Sequence, residues 1–172
     1  MKIHPTTLPD TALLARYQKT DFTDCYRTTI DIGVTFEHFV EAFYTTRLFK
    51  LERWILSVAL KKPSTDLQAK ALAEGTSENW AAWTVEARTE NQLLLCDIAG
   101  QTRSWLMSSP DETAEGQQTD LWFGSAVIHN KTAADGTPLM GFGFRLLMRF
   151  HHWYSIALLK AAARRLAKQS PA

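Results

Sequence analysis

The C-terminal stretch "LMGFGFRLLMRFHHWYSIALLKAAARRLAK", Leu139–Lys168, is the most apolar and most regular part of this chain. A transmembrane helix needs about twenty predominantly apolar residues. Charged or titratable side chains interrupt this stretch at Arg145, Arg149, His151, His152 and Lys160. The run without Lys or Arg, Phe150–Leu159, reaches only about half of the required length. The stretch therefore predicts a helix that packs within a globular domain and does not span a membrane.

A helical projection divides this stretch into two unequal faces. Arg145, Arg149, His152 and Lys160 share one narrow stripe, whereas apolar side chains cover more than half of the circumference. So wide an apolar face needs contacts on several sides, which a curved sheet provides and a flat one does not. We therefore predict a C-terminal helix over residues 142–168, held by a curved sheet.

The segment "HHWY", His151 to Tyr154, contains the residues of this helix that bear most directly on function. Adjacent histidines on a helix point about 100° apart, so they do not bind one metal ion from a common face. His152 falls in the polar stripe and is expected to be solvated. His151 lies at the edge of the apolar face, one turn from Tyr154, which belongs to that face. They are either hydrogen-bonded core residues or polar groups of a ligand site.

Composition excludes some classes of function. Nineteen Lys and Arg against eighteen Asp and Glu give a formal charge of +1, which provides no general attraction for nucleic acid. Six Trp and nine Phe must fill a core, line a pocket or form an interface. The length of 172 residues predicts a single domain over 1–172, with a partly irregular N-terminal segment over 1–20.

Sequence motifs predict neither a metal site nor a cofactor. Cys25 and Cys96 belong to no CxxC or CxH pattern, and two such distant thiols are expected to be small core residues. The sequence has no GxSxG, HExxH, GxGxxG or Walker motif. The N-terminal residues lack the apolar core of a signal peptide, so we expect a cytoplasmic protein.

Strand and helix patterns occur in separate blocks. Tyr26, Thr28, Ile30 and Ile32 alternate with polar residues as in a strand, after a short helix expected from Thr11 to Tyr17 with Asp10 as N-cap. Helical spacing follows from Phe36 to Pro63 and again over 64–74. Three hairpin-connected strands occupy 79–109, and "DLWFGSAVIHN" is one more strand. This order predicts an α+β fold with about five strands.

The same order resembles the helix-grip fold of the START, polyketide-cyclase and pollen-allergen-like superfamily (SRPBCC), in the manner of its uncharacterised bacterial members. The resemblance rests on "RLFKLERWILS", "LWFGSAVIHN" and "FHHWYSIALLKAAARRL". It implies a curved antiparallel sheet, commonly of six or seven strands, that wraps a long C-terminal helix around a hydrophobic cavity. None of these segments is specific enough to imply a reaction.

Aromatic residues on strands and helices are candidates for the wall of such a cavity. They are Phe43, Trp83, Trp105, Trp122, Phe123 and Tyr154. Since successive side chains of a strand point to opposite faces, Trp122 and Phe123 cannot both line the cavity. Each ring is equally well explained as a core residue. The number of large rings on a short sheet favours a cavity or an interface.

Charged residues on the strands allow two interpretations. Asp97 and Arg103 flank a predicted turn and are close enough to form a structural ion pair, or to orient a polar group of an apolar ligand. Glu86 and Arg88 are expected to share one solvent-facing side of a strand, and His129 is expected at the cavity rim.

Three functions compete. The leading prediction is a non-catalytic binder of a small hydrophobic or amphipathic molecule, lipid-like or aromatic, lodged between the sheet and the C-terminal helix. The alternative is a cyclase, dehydratase or hydrolase with His151 as the general base, assisted by Tyr154 or Asp97. A third is a protein-interaction module, as a homodimer or with "RLFKLERWILSVALKK" as an amphipathic docking helix.

Overall fold

Strands and helices were located in a computed structural model that describes residues 2–51, 64–110, 117–128 and 142–169, with side chains of the last range described from residue 151 onward. The strands are β1 (His4–Pro5), β2 (Phe22–Ile30), β3 (Asn79–Trp80), β4 (Trp83–Arg88), β5 (Gln92–Asp97), β6 (Thr102–Pro110) and β7 (Thr119–Val127). The α-helices are α1 (Phe36–Tyr44), α2 (Asp66–Ala73) and α3 (Phe142–Gln169), residues 47–51 are also helical, and Leu13–Tyr17 form a 3-10 helix.

The strands form one antiparallel sheet in the order β1-β2-β7-β6-β5-β4-β3. The first long strand, β2, pairs with the last strand, β7, and strands β6 to β3 follow on the other side of β7. Two of the seven strands, β1 and β3, are only two residues long, which is why alternation predicted about five. The α+β prediction is confirmed, and the architecture is of the helix-grip type.

One face of the sheet, here called the helix face, packs against the helices. Helix α3 contacts α1, β2 and β7. Phe39 and Phe43 of α1, Leu106 and Phe123 of the sheet, and Leu159 of α3 belong to one buried cluster. Burial of this apolar surface is the main stabilising contribution on this side. The predicted helix over 142–168 is confirmed, with one further residue at its end.

Helices α1 and α2 begin at residues whose side chains cap them. Thr35 accepts a hydrogen bond from the backbone N–H of His38 at the start of α1. Thr65 and Gln68 form a reciprocal capping box at the start of α2. Arg88 of β4 donates to the carbonyl oxygens of Leu72 and Ala73 and so satisfies the last turn of α2.

The opposite face of the sheet, here called the N-terminal face, is covered by the chain before β2. Leu8, Ala12 and Leu14 bury Cys25, Leu94 and Trp105 in a second cluster, separate from the first. The helix expected over Thr11–Tyr17 is a shorter 3-10 helix, and its N-cap is Ala12 rather than Asp10. The irregular N-terminal segment is therefore a packed cover over this face.

Gln92 fastens this cover to the sheet. Its Oε1 accepts from the Leu13 N–H at 2.9 Å and from Trp105 Nε1 at 2.9 Å. Its Nε2 donates to the Thr11 carbonyl oxygen at 3.1 Å. The side chain is buried, so these three bonds satisfy polar groups that water does not reach.

Gly124 of β7 lies where the cover approaches the sheet most closely. A Cβ atom at this position would lie 2.8 Å from the Asp24 backbone oxygen, 2.9 Å from Leu14 Cδ2 and 3.1 Å from Trp105 Cε3. Real Cβ atoms do not tolerate contacts as short as the first two. Only glycine therefore fits between Phe123 and Ser125.

Three sequence predictions concern membrane spans, metal sites and the two cysteines. Within the described ranges, no helix is both long enough and apolar enough to cross a membrane. The same residues contain no convergent group of His, Cys, Asp and Glu suited to a metal ion. Cys25 and Cys96 are free thiols, and Cys25 is buried as expected.

Candidate functional site

A pocket of about 370 Å³ lies between the helix face of the sheet and α3. Apolar side chains from three elements line it, including Phe43, Phe123 and Leu158. Polar side chains of β7 and α3 line it as well: Ser125, His151, Tyr154 and Ser155. The pocket therefore combines an apolar wall with polar groups, and its volume is in the range of small-molecule sites.

The apolar wall is part of a continuous aromatic cluster. The ring of Phe43 lies 4.9 Å from that of Phe123 and 6.1 Å from that of Phe49, measured between centroids. Behind them, Tyr44 packs against Trp80 at 4.8 Å. These spacings are typical of favourable aromatic contacts, so the wall is fixed before any ligand arrives.

The polar groups converge on one carboxylate, that of Asp24 at the start of β2. Its Oδ1 accepts from the Ser125 N–H at 3.0 Å and from Ser125 Oγ at 2.6 Å, and its Oδ2 accepts from the Tyr26 hydroxyl at 3.0 Å. His151 Nε2 lies 2.6 Å from Ser125 Oγ, and His152 Nδ1 lies 2.8 Å from the Tyr26 hydroxyl. These five residues are here called the Asp24 cluster.

The elements that carry the Asp24 cluster explain its geometry. Asp24 and Ser125 are direct partners in the β2–β7 register. Tyr26, two residues further along β2, lies on the same face because side chains alternate. The two histidines come from α3, which crosses these strands. The cluster therefore joins the C-terminal helix α3 to strands β2 and β7.

An ionised Asp24 determines where the protons of the cluster lie, because a carboxylate only accepts hydrogen bonds. The single hydroxyl protons of Ser125 and Tyr26 must both point to Asp24. His151 Nε2 and His152 Nδ1 must then carry hydrogen and donate to those hydroxyl oxygens. Burial, followed by the neighbouring Asp24 charge, raises the pKa of Tyr26, which keeps its hydroxyl protonated.

This proton arrangement bears on what Ser125 can do chemically. A nucleophilic serine donates its proton to a histidine nitrogen, and a carboxylate holds the other nitrogen of that ring. Here Ser125 donates to Asp24 instead, and Asp24 Oδ2 lies 3.4 Å from the same Nε2. The arrangement suits positioning of His151 better than activation of Ser125. An acid–base role for His151 stays a prediction.

The structure brings together six of the residues singled out as ligand-binding candidates. The pocket is lined by Phe43, Trp83, Arg103, Phe123, His151 and Tyr154. His152, expected to be solvated, is instead half-buried and hydrogen-bonded to Tyr26. Ligand binding by these residues stays a prediction.

Trp105 and Trp122 lie elsewhere. Trp105 is fully buried in the cluster beneath the N-terminal cover, on the face opposite the pocket. Trp122 packs against that cluster, with the Arg27 guanidinium 5.1 Å from its ring centroid. Alternation along β7 correctly allowed only one of Trp122 and Phe123 to face the pocket. The prediction that Trp105 lines the pocket is wrong because the N-terminal segment buries it on the other face of the sheet.

Asp97 and Arg103 do not form the ion pair that the sequence suggested. Asp97 Oδ1 accepts from the N–H groups of Gln101 and Thr102 and so stabilises the β5–β6 turn. Arg103 borders the pocket, but its Nε donates to Glu86 at 2.5 Å and to the Tyr17 hydroxyl at 3.1 Å. Its guanidinium is thereby held toward the N-terminal cover.

A β-bulge between Val85 and Ala87 accounts for the partner of Arg103. The extra residue ends the simple alternation, so Glu86 and Arg88 do not share a face. Glu86 bonds to Tyr17 and Arg103 on the N-terminal face, whereas Arg88 bonds to α2 on the helix face. The solvent-facing pair predicted from the sequence is therefore wrong.

Some predictions fall outside the described residues. They concern His129 at the rim, most of the docking helix, whose residues 52–62 are not described, and the side chains of Arg145 and Arg149. Sequence reasoning also missed Asp24 and Ser125. The available signal was a polar residue on the apolar face of each strand, Asp24 before Tyr26 and Ser125 after Phe123.

Comparison with known proteins gave little. No family model matches this chain, and no curated protein matches it. A solved structure with some similarity is that of CalU16 from Micromonospora echinospora, which is 14% identical. That alignment covers 97% of this chain and 94% of CalU16, with a TM-score of 0.32.

Proposed function

We propose that this protein binds a small hydrophobic or amphipathic molecule, lipid-like or aromatic, in the pocket between the sheet and α3, as a member of the helix-grip superfamily. The observation that carries the proposal is the pocket of about 370 Å³ with an aromatic wall and a polar side. If these side chains served only as a core, they would be expected to fill a space of this size, because voids in a protein interior weaken packing.

The apolar lining and the rigidity of the pocket support this class of ligand. Phe43, Phe123 and Leu158 provide apolar contact surface, and burial of such surface is the general source of affinity for apolar ligands. The Asp24 cluster satisfies its own polar groups internally, so it adds rigidity at the polar side. A preformed pocket binds with less ordering cost than a flexible one.

A neutral fluorescent probe tests the proposal. N-phenyl-1-naphthylamine should bind the purified protein with one site and increased emission, and fatty alcohols or aromatic metabolites should displace it. Val127 lines the pocket at the end of β7, and Val127→Trp should fill the space and remove probe binding. Ile98 is exposed and does not line the pocket, so Ile98→Trp is the matched control.

The two outcomes are distinct. Saturable binding that Val127→Trp removes and Ile98→Trp keeps would support the pocket as the binding site. Absence of probe binding by a folded wild-type protein, or equal binding by both variants, would contradict the proposal.

A further inference from the structure

Helix α3 has an exposed side that lies away from the pocket. The exposed residues of this side recur at helical spacing and are here called the outer stripe: Trp153, Ala157, Lys160, Arg164 and Lys168. At a rise of about 1.5 Å per residue, the outer stripe is roughly 22 Å long. His151, Ser155 and Leu158, which line the pocket, project from the other side of the helix.

The charge of α3 differs from that of the rest of the chain. Its sequence contains six Lys and Arg and no Asp or Glu, although the whole chain has a formal charge of only +1. The remaining residues together are therefore acidic. Among the described residues, no carboxylate forms an ion pair with Lys160, Arg164 or Lys168. The outer stripe thus presents uncompensated positive charge to solvent.

The helix dipole accounts for only one end of the outer stripe. Cations in the last turn of a helix stabilise the partial negative charge at its C-terminus, and this effect falls off within that turn. Lys168 has this position, because α3 ends at Gln169. Lys160 lies about two and a half turns before the end, and Trp153 more than four turns before it. These two residues need another explanation.

Trp153 adds a large exposed ring to the positive charge. Its side chain is 71% exposed, although a ring of this size is usually buried or placed at an interface. The other large apolar side chains that are exposed in the described ranges are Leu51, Leu67 and Ile98, and each is adjacent in sequence to an acidic residue. Trp153 instead shares its stripe with three cations.

An anionic lipid bilayer matches both properties of the outer stripe. Each Lys or Arg near such a surface strengthens binding roughly fivefold. The indole ring prefers the interface between head groups and acyl chains, where its body is in apolar surroundings and its N–H reaches water. A single-stranded nucleic acid is matched less well, because it stacks its bases on several rings and the outer stripe contains one.

We propose that the outer stripe docks this protein on an anionic lipid bilayer, with Lys160, Arg164 and Lys168 at the head groups and Trp153 inserted at the interface. Helix α3 then lies along the membrane surface, and the pocket is about one helix diameter, roughly 10 Å, from the lipid. The inference goes beyond the proposed function and uses other residues, so either can fail without the other.

Sedimentation of the full chain with lipid vesicles tests docking. Vesicles of phosphatidylcholine with about one quarter phosphatidylglycerol should bind at least about tenfold more tightly than vesicles of phosphatidylcholine alone. Raising the salt concentration from about 0.05 M to about 0.5 M should weaken this binding, because ions screen charges at an exposed surface.

Charge variants locate the docking surface. Lys160→Gln/Arg164→Gln should weaken binding to the anionic vesicles roughly twentyfold, at about fivefold for each cation. Lys19→Gln/Lys70→Gln removes the same charge from exposed positions after the 3-10 helix and on α2. This double variant is the matched control and should leave vesicle binding nearly unchanged.

Fluorescence quenching tests insertion of the ring. Phosphatidylglycerol vesicles whose acyl chains carry bromine close to the head groups should quench part of the tryptophan emission of the wild-type protein. Trp153→Phe keeps five tryptophans and should remove this quenching. Trp122→Phe, on the N-terminal face, is the control and should keep it.

The wild-type measurements decide the inference even if a variant fails to fold. Equal binding to anionic and neutral vesicles, or no quenching by the brominated lipid, would overturn it. Tighter binding to duplex DNA than to the anionic vesicles would also overturn it, in favour of a nucleic-acid surface. Val127→Trp should still dock on vesicles after losing the fluorescent probe, so failure of the pocket and failure of docking are separate results.

Discussion

Ser125 Oγ lies 2.6 Å from His151 Nε2, and this contact joins the last strand of the sheet to the C-terminal helix. The same oxygen donates to Asp24 at 2.6 Å, so one hydroxyl group links β7, β2 and α3. A serine with two short contacts to titratable side chains beside a pocket is a structural junction as well as a candidate ligand contact.

We expect Ser125→Ala to lower the free energy of unfolding by about 1–2 kcal/mol, because Asp24 loses one of its donors and the His151 N–H loses its acceptor. Urea denaturation measures this change. Ser109 is a half-buried serine of β6 outside the cluster, so Ser109→Ala should change stability by less than about 0.5 kcal/mol. Equal effects of the two substitutions would contradict the assigned role of Ser125.

The proton arrangement of the Asp24 cluster predicts different tautomers for adjacent histidines. In the neutral rings, His151 should carry its hydrogen on Nε2 and His152 on Nδ1, since each donates to a hydroxyl that donates to Asp24. Nitrogen-15 chemical shifts of the imidazole rings at alkaline pH distinguish the two forms. In the Tyr26→Phe variant, His152 should lose its preference for the Nδ1 tautomer. A wild-type His152 with hydrogen on Nε2 would refute the arrangement.

Alkaline pH should destabilise the fold through Cys25. Burial, followed by the Asp24 charge, raises the pKa of this thiol from its ordinary value near 9 to about 12. Between these values the folded state holds a proton that the unfolded state releases, so stability falls as the pH rises, by at most about 1.4 kcal/mol per pH unit. Below the unfolded pKa the contribution is fully present. Tyr26 acts in the same direction.

Cys25→Ala tests this by urea denaturation between about pH 8 and pH 11. The variant should lose less stability over this range than the wild type does. Cys96 is less buried, and although burial also raises its pKa, Cys96→Ala should alter the slope less. A slope unchanged by Cys25→Ala would show that the folded state does not retain this proton.

Gln92 should be indispensable to the N-terminal cover. Gln92→Leu introduces an apolar side chain of similar size, which leaves the Leu13 N–H and the Trp105 indole N–H without their acceptor. We expect a loss of about 2–4 kcal/mol, the sum of two unsatisfied buried donors. Hydrogen exchange should show faster exchange in residues 11–17 than in the wild type. Gln68→Leu, at the exposed capping box of α2, should cost less.

The sequence predicted the parts of the site that follow from periodicity. The wide apolar face of α3 indicated a sheet around it, and alternation placed Phe123 and Trp122 on opposite faces. Periodicity assigns residues to two faces but not to the pocket, because both faces of this sheet are covered. Trp105 therefore has the same pattern as a pocket residue and lies beneath the N-terminal segment.

Long-range and irregular features could not be predicted. The bond between Asp24 and Ser125 joins residues 101 positions apart, so neither residue signals its partner locally. The bulge at Val85 and Ala87 places Glu86 and Arg88 on opposite faces, and no residue there requires it. Arg103 consequently finds Glu86 rather than Asp97.

Gly124 makes the barrier between the pocket and the N-terminal cover a single residue thick. On one side of it Phe123 and Ser125 line the pocket, and on the other Leu14 and Trp105 occupy the space that a Cβ atom of this residue would need. Removal of the N-terminal cover would thus expose the sheet directly behind the pocket. Tests of ligand binding therefore need a protein that keeps this cover.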